Sequence, residues 1–221
     1  MSTWISKAAF ALLAPAILSA CVAGGTGSAP TQVAVLGSSV TVAGPRGYCV
    51  DSTASRDGAE SAFVLLGSCA SLAGTPFAPA PKAPAILTAS VLAEGAELVA
   101  ETAPLAAFFR SASGRAALSR SGNAETVEVL ETFEADGVMF LRVRDISESG
   151  TQGQPVEPEY WRAVLALNGR LVTLSALGHQ ARPLSAGDKR AAIDAFLARM
   201  LAANPTRTAE APEAAAPPPA N

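Results

Sequence analysis

Two dipeptides, Asp136-Gly137 and Asn168-Gly169, constrain the fold of this chain more than any other feature of its sequence. Each lies between two segments in which apolar and polar residues alternate. Asp-Gly and Asn-Gly favour the type I′ turn, because both central residues of that turn need a positive φ angle. The sequence therefore predicts two antiparallel hairpins, each closed by a two-residue loop.

The loop length also predicts the register of each hairpin. The paired segments are residues 126–133 with 138–146, and residues 161–167 with 170–177. Phe133 is expected opposite Phe140, and Glu131 opposite Arg142. The other face of the first hairpin is predicted to hold Leu130, Thr132, Leu141 and Val143. The core face of the second hairpin is predicted to hold Trp161, Ala163, Leu165, Val172 and Leu174.

Short apolar segments predict further strands at residues 33–36, 39–43, 48–50, 62–69 and 85–92. The run 62–69 (AFVLLGSC) is continuously apolar, which predicts a central strand buried on both faces. The polar residues 51–61 and the four prolines within 75–84 predict two loops.

A C-terminal amphipathic helix is predicted over residues 186–203. Ser185 is a suitable N-cap, and Asp188 completes an approximate capping box. The apolar stripe of this helix is Ile193, Phe196, Leu197, Met200 and Leu201. A shorter helix is predicted to begin after an N-cap at Thr102.

This order of elements predicts an α+β fold, in which helices pack on a mainly antiparallel β-sheet. We expect one domain over residues 32–204. The last segment, residues 205–221 (PTRTAEAPEAAAPPPAN), has no large apolar side chain and is predicted to be disordered. The formal net charge is −3 and no basic cluster is present, so a nucleic-acid partner is not expected.

The layout of residues 39–203 resembles the PsbP-like α/β/α sandwich. The likeness lies in VTVAGPRGYCV (residues 40–50), in the paired hairpins, and in NGRLVTLSALG followed by the C-terminal helix. That family includes lipoproteins and assembly factors, and the resemblance implies no catalytic residues. The segments GYCVDSTASRD, AFVLLGSC and FFRSASGRAALSRSG also resemble a group of uncharacterised alphaproteobacterial lipoproteins.

The first twenty residues have the features of a secretory signal. Lys7 precedes the apolar run 8–18, which is shorter than the roughly 20 residues that span a bilayer. Leu18-Ser-Ala-Cys21 then resembles the bacterial lipobox. The resemblance implies cleavage before Cys21 and attachment of lipid to that cysteine, and the alternative is ordinary secretion with a free cysteine.

Residues 21–31 are predicted to be the lipidated cysteine and a flexible tether, since Gly, Ser and Pro recur there without periodicity. Residue 22 is valine and not aspartate. By resemblance to the usual sorting pattern, this favours the outer membrane, with the domain facing the periplasm.

Two cysteines remain after Cys21, namely Cys49 and Cys69. An even pair in an oxidising compartment is most simply a disulfide, and neither belongs to a CxxC or His-flanked motif.

The sequence contains no GxSxG, HExxH, P-loop or GxGxxG motif, so no catalytic residue, metal or cofactor is predicted. His179 is the only histidine and is expected in a partly exposed loop; a general-base role is the alternative. The acidic residues near the first hairpin are expected to form cross-strand ion pairs on a solvated face, with a glycosidase-type carboxylate pair as the alternative. They are Glu125, Glu128, Glu131, Glu134 and Asp136.

Arg46, Asp51 and Arg56, together with Asp57, surround Cys49 in sequence and could line a small anion or ligand site. The alternative is a polar loop beside the disulfide. Trp161 is expected to anchor the core, with sugar stacking as the alternative.

These observations favour a non-enzymatic, membrane-anchored envelope lipoprotein that binds or assists another protein. Two alternatives stay open: a module that binds a small ligand or glycan, and a hydrolase whose site matches no known motif.

Overall fold

A computed structural model describes residues 29–147 and 155–205 of the chain. The predicted signal segment 1–20, the lipidation site Cys21, and the tether as far as residue 28 lie outside the described residues. The predicted tail also lies outside them, from residue 206 onward.

Nine strands and four α-helices make up the described part of the chain. The strands are β1 Gln32–Val35, β2 Val40–Ala43, β3 Tyr48–Asp57, β4 Ser61–Ser68, β5 Ile86–Leu92, β6 Val127–Ala135, β7 Val138–Asp145, β8 Val156–Leu167 and β9 Arg170–His179. The helices are α1 Cys69–Ala73, α2 Thr102–Arg110, α3 Ala112–Leu118 and α4 Ala186–Ala203. Two 3-10 turns, Ala96–Val99 and Ala124–Thr126, complete the fold.

Seven strands form one antiparallel sheet in the order β3-β4-β5-β9-β8-β7-β6, and β1 pairs with β2 in a separate hairpin. The sheet thus joins two meanders, β3 to β5 and β6 to β9, at the β5–β9 pair. This architecture confirms the predicted α+β class with a mainly antiparallel sheet and a C-terminal helix.

Both predicted hairpins are present. The second has its predicted register, whereas the first keeps it only from Glu131 to the turn, and Val129 instead of Leu130 packs on the face of Leu141 and Val143. The turn residues Asp136 and Asn168 have φ angles of 51° and 50°, and the glycine that follows each also has a positive φ angle. Phe133 pairs with Phe140, as the two-residue loop requires. A bulge at Leu130 shifts the earlier part of β6, so that Leu130 has no partner in β7.

The sheet carries helices on both faces. On one face, α4 and the β1–β2 hairpin cover a core of strand side chains. On the other face, α2, α3 and the first 3-10 turn cover a second core over β6 to β8. The Tyr160 hydroxyl on β8 donates to the Leu118 carbonyl at 2.9 Å and fastens α3 to this second face.

Side-chain hydrogen bonds cap both ends of the helix α4, and the cap at Ser185 was predicted from the sequence. The Ser185 hydroxyl accepts from the Asp188 amide at 3.0 Å and donates to its carboxylate at 2.6 Å. At the other end, Asn204 exchanges two 2.8 Å hydrogen bonds with the backbone of Thr41 on β2. The prediction for Leu201 was wrong, since this side chain is 46 % exposed beside the buried stripe.

Three other local predictions were wrong. Residues 51–57 continue β3 instead of forming a loop, because they pair with β4 around a wide bulge. The strand β4 lies second from the sheet edge, and its side chains alternate between buried and half-buried positions. Thr102 is the first residue of α2, so the N-cap position falls on Glu101.

Candidate functional site

A disulfide corner forms where β3 begins and α1 follows β4. The sulfur atoms of Cys49 and Cys69 lie 2.03 Å apart, at the distance of a disulfide bond. The Cys69 amide donates to the Gly47 carbonyl at 2.9 Å, and the Ser68 hydroxyl caps α1 by accepting from the Ser71 amide. The corner therefore links a strand start, a helix start and the turn between β2 and β3.

The proline-rich segment 75–84 is held against this corner. The Ala70 amide donates to the Pro79 carbonyl at 3.1 Å, and the Ala85 amide donates to the Tyr48 hydroxyl at 2.9 Å. Burial raises the pKa of Tyr48, so this hydroxyl stays protonated. Gly47 has a φ of 89°, and any Cβ there would meet the backbone of Ala80 at 2.9 Å. Only glycine lets the segment approach so closely.

Beside the corner lies a shallow, open depression of about 480 Å³, named here the Arg46–Arg199 depression. Its lining consists of two arginines and of neutral residues, namely Thr31, Gly44, Pro45, Arg46, Gly47, Cys69, Pro79 and Arg199. Arg199 comes from α4 and donates to the Gln32 side-chain carbonyl at 3.3 Å. Two guanidinium groups without a carboxylate in the lining suit an anion.

The structure does not bring Asp51 and Arg56 into this depression. The Asp51 carboxylate accepts from Thr53 and from the Ala54 amide, and therefore shapes the bulge of β3. The hydrogen bond from the Thr53 hydroxyl is the main cause that lowers the pKa of Asp51. Arg56 is exposed near the far end of β3, and Asp57 accepts from the Leu36 amide at 3.0 Å. Of the predicted ligand residues, only Arg46 lies at the depression.

His179 is the last residue of β9 and is half-buried. Its Nδ1 atom accepts from the Ala181 amide at 3.0 Å, and its carbonyl accepts from the Arg182 amide at 2.9 Å. The imidazole thus helps to fold the turn that leads to α4.

Of the five acidic residues predicted near the first hairpin, Glu131 forms an ion pair across strands. Arg142 lies 3.4 Å from Glu131 on β6 and 3.3 Å from Glu159 on β8. Glu134 accepts from the Gly137 amide in the turn. These contacts agree with the ion-pair interpretation and not with two carboxylates converging in a cleft.

Trp161 is 5 % exposed and belongs to the core under α4. The guanidinium of Arg190 covers it at 5.0 Å from the ring centroid and also lies 4.8 Å and 4.7 Å from the rings of Phe133 and Phe140. Asp194 holds Arg190 in place at 2.9 Å. This arrangement offers no open aromatic platform to a sugar.

Two buried ion pairs were not anticipated from sequence. Asp145 has no exposed surface and lies 3.5 Å from Arg120, and Lys189 on α4 lies 3.3 Å from Glu157 on β8. Arg120 also donates to the carbonyls of Asp145 and Ser147, so it binds the segment that follows β7. Both pairs join elements that are distant in sequence, and no local pattern marks them.

Within residues 29–147 and 155–205, no group of three or more His, Cys, Asp or Glu side chains could hold a metal ion. Over the same residues, none of the helices has the length and hydropathy needed to cross a membrane.

Comparison of the chain with protein-family models, with curated proteins and with solved structures finds no match. The resemblances drawn from sequence therefore stay predictions.

Proposed function

We propose that this protein is a lipid-anchored protein of the cell envelope that acts by binding another protein and not by catalysis. The apolar segment 8–18 and the Leu-Ser-Ala-Cys21 motif support the anchor. The ionisable side chains buried in the described domain, such as Asp145 and Lys189, favour a non-catalytic role, because they are engaged in contacts that hold elements together.

The observation that carries the binding role is the edge formed by β6. This strand is the last of the sheet and pairs only with β7 among the described residues. Glu128 and Glu134 are exposed along it, Glu131 is paired with Arg142, and the bulge at Leu130 interrupts its register. Charges and bulges oppose strand addition, so a partner strand can add only to the regular part of this edge after the bulge, residues 131–135, through backbone hydrogen bonds. The exposed carboxylates favour a partner with basic side chains.

The position of this edge fits an anchored protein. The chain enters the domain beside β3, where the Val50 amide donates to the Pro30 carbonyl at 2.7 Å. Six strand spacings separate β3 from β6, which amounts to roughly 29 Å across the sheet. The β6 edge therefore lies on the side of the domain away from the tether.

Site-specific photocrosslinking in cells tests the binding role. A photoreactive residue at position 128, 132 or 134 should give one discrete adduct. With the photoreactive residue at position 132, the combined change Glu128→Lys and Glu134→Lys should weaken that adduct. The matched control is position 53, which is exposed on β3 at the opposite edge. Equal adducts from both edges, or none from β6, would contradict the proposal.

Metabolic labelling with radioactive palmitate tests the anchor separately. The wild-type protein should incorporate label and fractionate with the outer membrane, whereas Cys21→Ser should do neither. Label that persists in the Cys21→Ser variant would overturn the anchor at this residue, and recovery in the inner membrane alone would overturn the proposed location.

A further inference from the structure

The segment 75–84 presents one aromatic side chain fully to solvent. Phe77 is 96 % exposed, although the residues around it are held by the disulfide corner. The side chain is therefore displayed from a supported loop and not from a free chain end. Aromatic residues favour the interface between lipid and water, where an apolar ring can enter the headgroup region.

The surface around Phe77 is locally basic in a chain that is acidic as a whole. The segments 29–50 and 61–93 contain no Asp or Glu, but they contain Arg46 and Lys82, and both of these side chains are exposed. Arg199 joins Arg46 at the Arg46–Arg199 depression, and Pro79, two residues after Phe77, lines the same depression. Cations and an exposed ring thus meet at one end of the domain.

The tether enters the domain at this same end. Thr31 lines the depression, and its carbonyl accepts from the Gly44 amide at 2.8 Å. Only residues 22–28 separate Cys21 from the first described residue, which allows at most about 28 Å of extended chain. Lipid on Cys21 would therefore keep this surface close to the bilayer.

We propose that this end of the domain docks on the bilayer and binds anionic phospholipid headgroups. Phe77 enters the interface, and Arg46, Arg199 and Lys82 contact headgroup phosphates. Each such cation raises partitioning to an anionic surface about fivefold. Docking would fix the orientation of the domain and leave the β6 edge, at the far side of the sheet from β3, open to a partner. This inference rests on the lipid anchor proposed above.

Vesicle binding by the mature chain without its lipid, made as Cys21→Ser, tests the docking surface independently of the anchor. At low salt this protein should co-sediment with vesicles of phosphatidylcholine and phosphatidylglycerol, and not with vesicles of phosphatidylcholine alone. The double variant Arg46→Glu and Arg199→Glu should bind at least tenfold more weakly, and Phe77→Ser should also lose affinity. Leu98→Ser is the matched control, since Leu98 is 55 % exposed at the opposite end of the strands.

A second measurement uses the lipidated chain in the same anionic vesicles. Phe77→Trp fluorescence should be quenched by brominated lipid, whereas a tryptophan placed at Leu98 should not be. Equal binding to both vesicle types, or equal loss of binding in Leu98→Ser, overturns the docking surface. If Cys21 takes up palmitate while the unlipidated chain ignores anionic vesicles, the anchor stands and the docking surface is wrong.

Discussion

Asp145 is a carboxylate with no exposed surface. Burial alone would raise the pKa of Asp145. The hydrogen bonds from the Arg120 and Ser147 amides and the charge of Arg120 lower the pKa by more than burial raises it, so the folded-state pKa lies below the usual value. The stabilisation from this group is therefore complete above the unfolded-state pKa of about 3.9 and is lost as the pH falls through the lower folded-state pKa.

Asp145→Asn should lower the free energy of unfolding at neutral pH by about 2 kcal/mol, because charged hydrogen bonds to a buried group are lost. The difference between the variant and the wild type should shrink as the pH falls below about 4. Urea unfolding at a series of pH values measures both effects, with Glu60→Gln as an exposed control. A difference that stays constant with pH would show that ionisation of Asp145 contributes nothing.

Gly178 lies against the carboxylate of Glu157, and a Cβ at this position would overlap that carboxylate. Glu157 cannot move aside freely, because it accepts from the Leu184 amide at 3.0 Å and binds Lys189. Gly178→Ala should therefore destabilise the fold by about 2 kcal/mol through overpacking.

Gly187→Ala is the matched control in thermal or urea unfolding. Its Cβ would meet only the Ser185 hydroxyl at 3.7 Å, and alanine in a helix is favoured over glycine by about 0.5 kcal/mol. The two substitutions should shift stability in opposite directions. A neutral Gly178→Ala would mean that Glu157 adopts another position without loss.

Among the elements, α1 and the start of β3 depend on the Cys49–Cys69 bond. The bond closes a loop with a sequence separation of 20, which corresponds to about 3 kcal/mol in the chain-entropy description. Reduction of the wild-type protein should lower the urea midpoint accordingly. The double variant Cys49→Ala and Cys69→Ala should already have the lower midpoint and should not respond to reductant, and a midpoint equal to that of the oxidised protein would refute this role.

The elements that sequence predicted well are those with local signals. The hairpins follow from Asp136-Gly137 and Asn168-Gly169, and α4 follows from Ser185 and its apolar stripe. The continuation of β3 was missed because its residues are polar and are held extended by pairing with β4. The order of strands in the sheet has no local signal, so the β5–β9 contact could not be predicted.

The candidate site was predictable only in its local parts. The cysteine count predicts the disulfide, and the closeness of Arg46 to Cys49 in sequence makes Arg46 a candidate. Its partner Arg199 lies on α4, and only the packing of α4 against β2 brings the two together. Asp51 bonds to its own neighbours instead, since a short acidic side chain reaches nearby backbone amides most easily.

At the scale of the whole molecule, two meanders of contiguous strands meet at the β5–β9 pair. Strands within a meander are close in sequence, whereas Val91 and its partner Val172 are far apart. Because distant contacts carry the larger loop-closure cost, we expect this pairing to form in the rate-limiting step of folding. Val91→Ala should therefore mainly slow folding, whereas Val35→Ala, equally buried on β1, should mainly speed unfolding.

Stopped-flow folding and unfolding rates in urea measure this difference. Both substitutions should lower the free energy of unfolding by well over about 0.6 kcal/mol, the change in stability below which the kinetic φ-value is unreliable. The expectation fails if Val35→Ala slows folding more than Val91→Ala does.

The same junction has a consequence as the chain emerges, N-terminus first, into the compartment where it folds. The strand β9 emerges after all the other strands, so β5 lacks its second partner until almost the whole sheet has emerged. During that interval the seven uncharged residues ILTASVL form an open and mainly apolar strand edge. Segments of this kind pair readily with copies of themselves. The interval between β5 and β9 is therefore the time at which a nascent chain is most prone to aggregate.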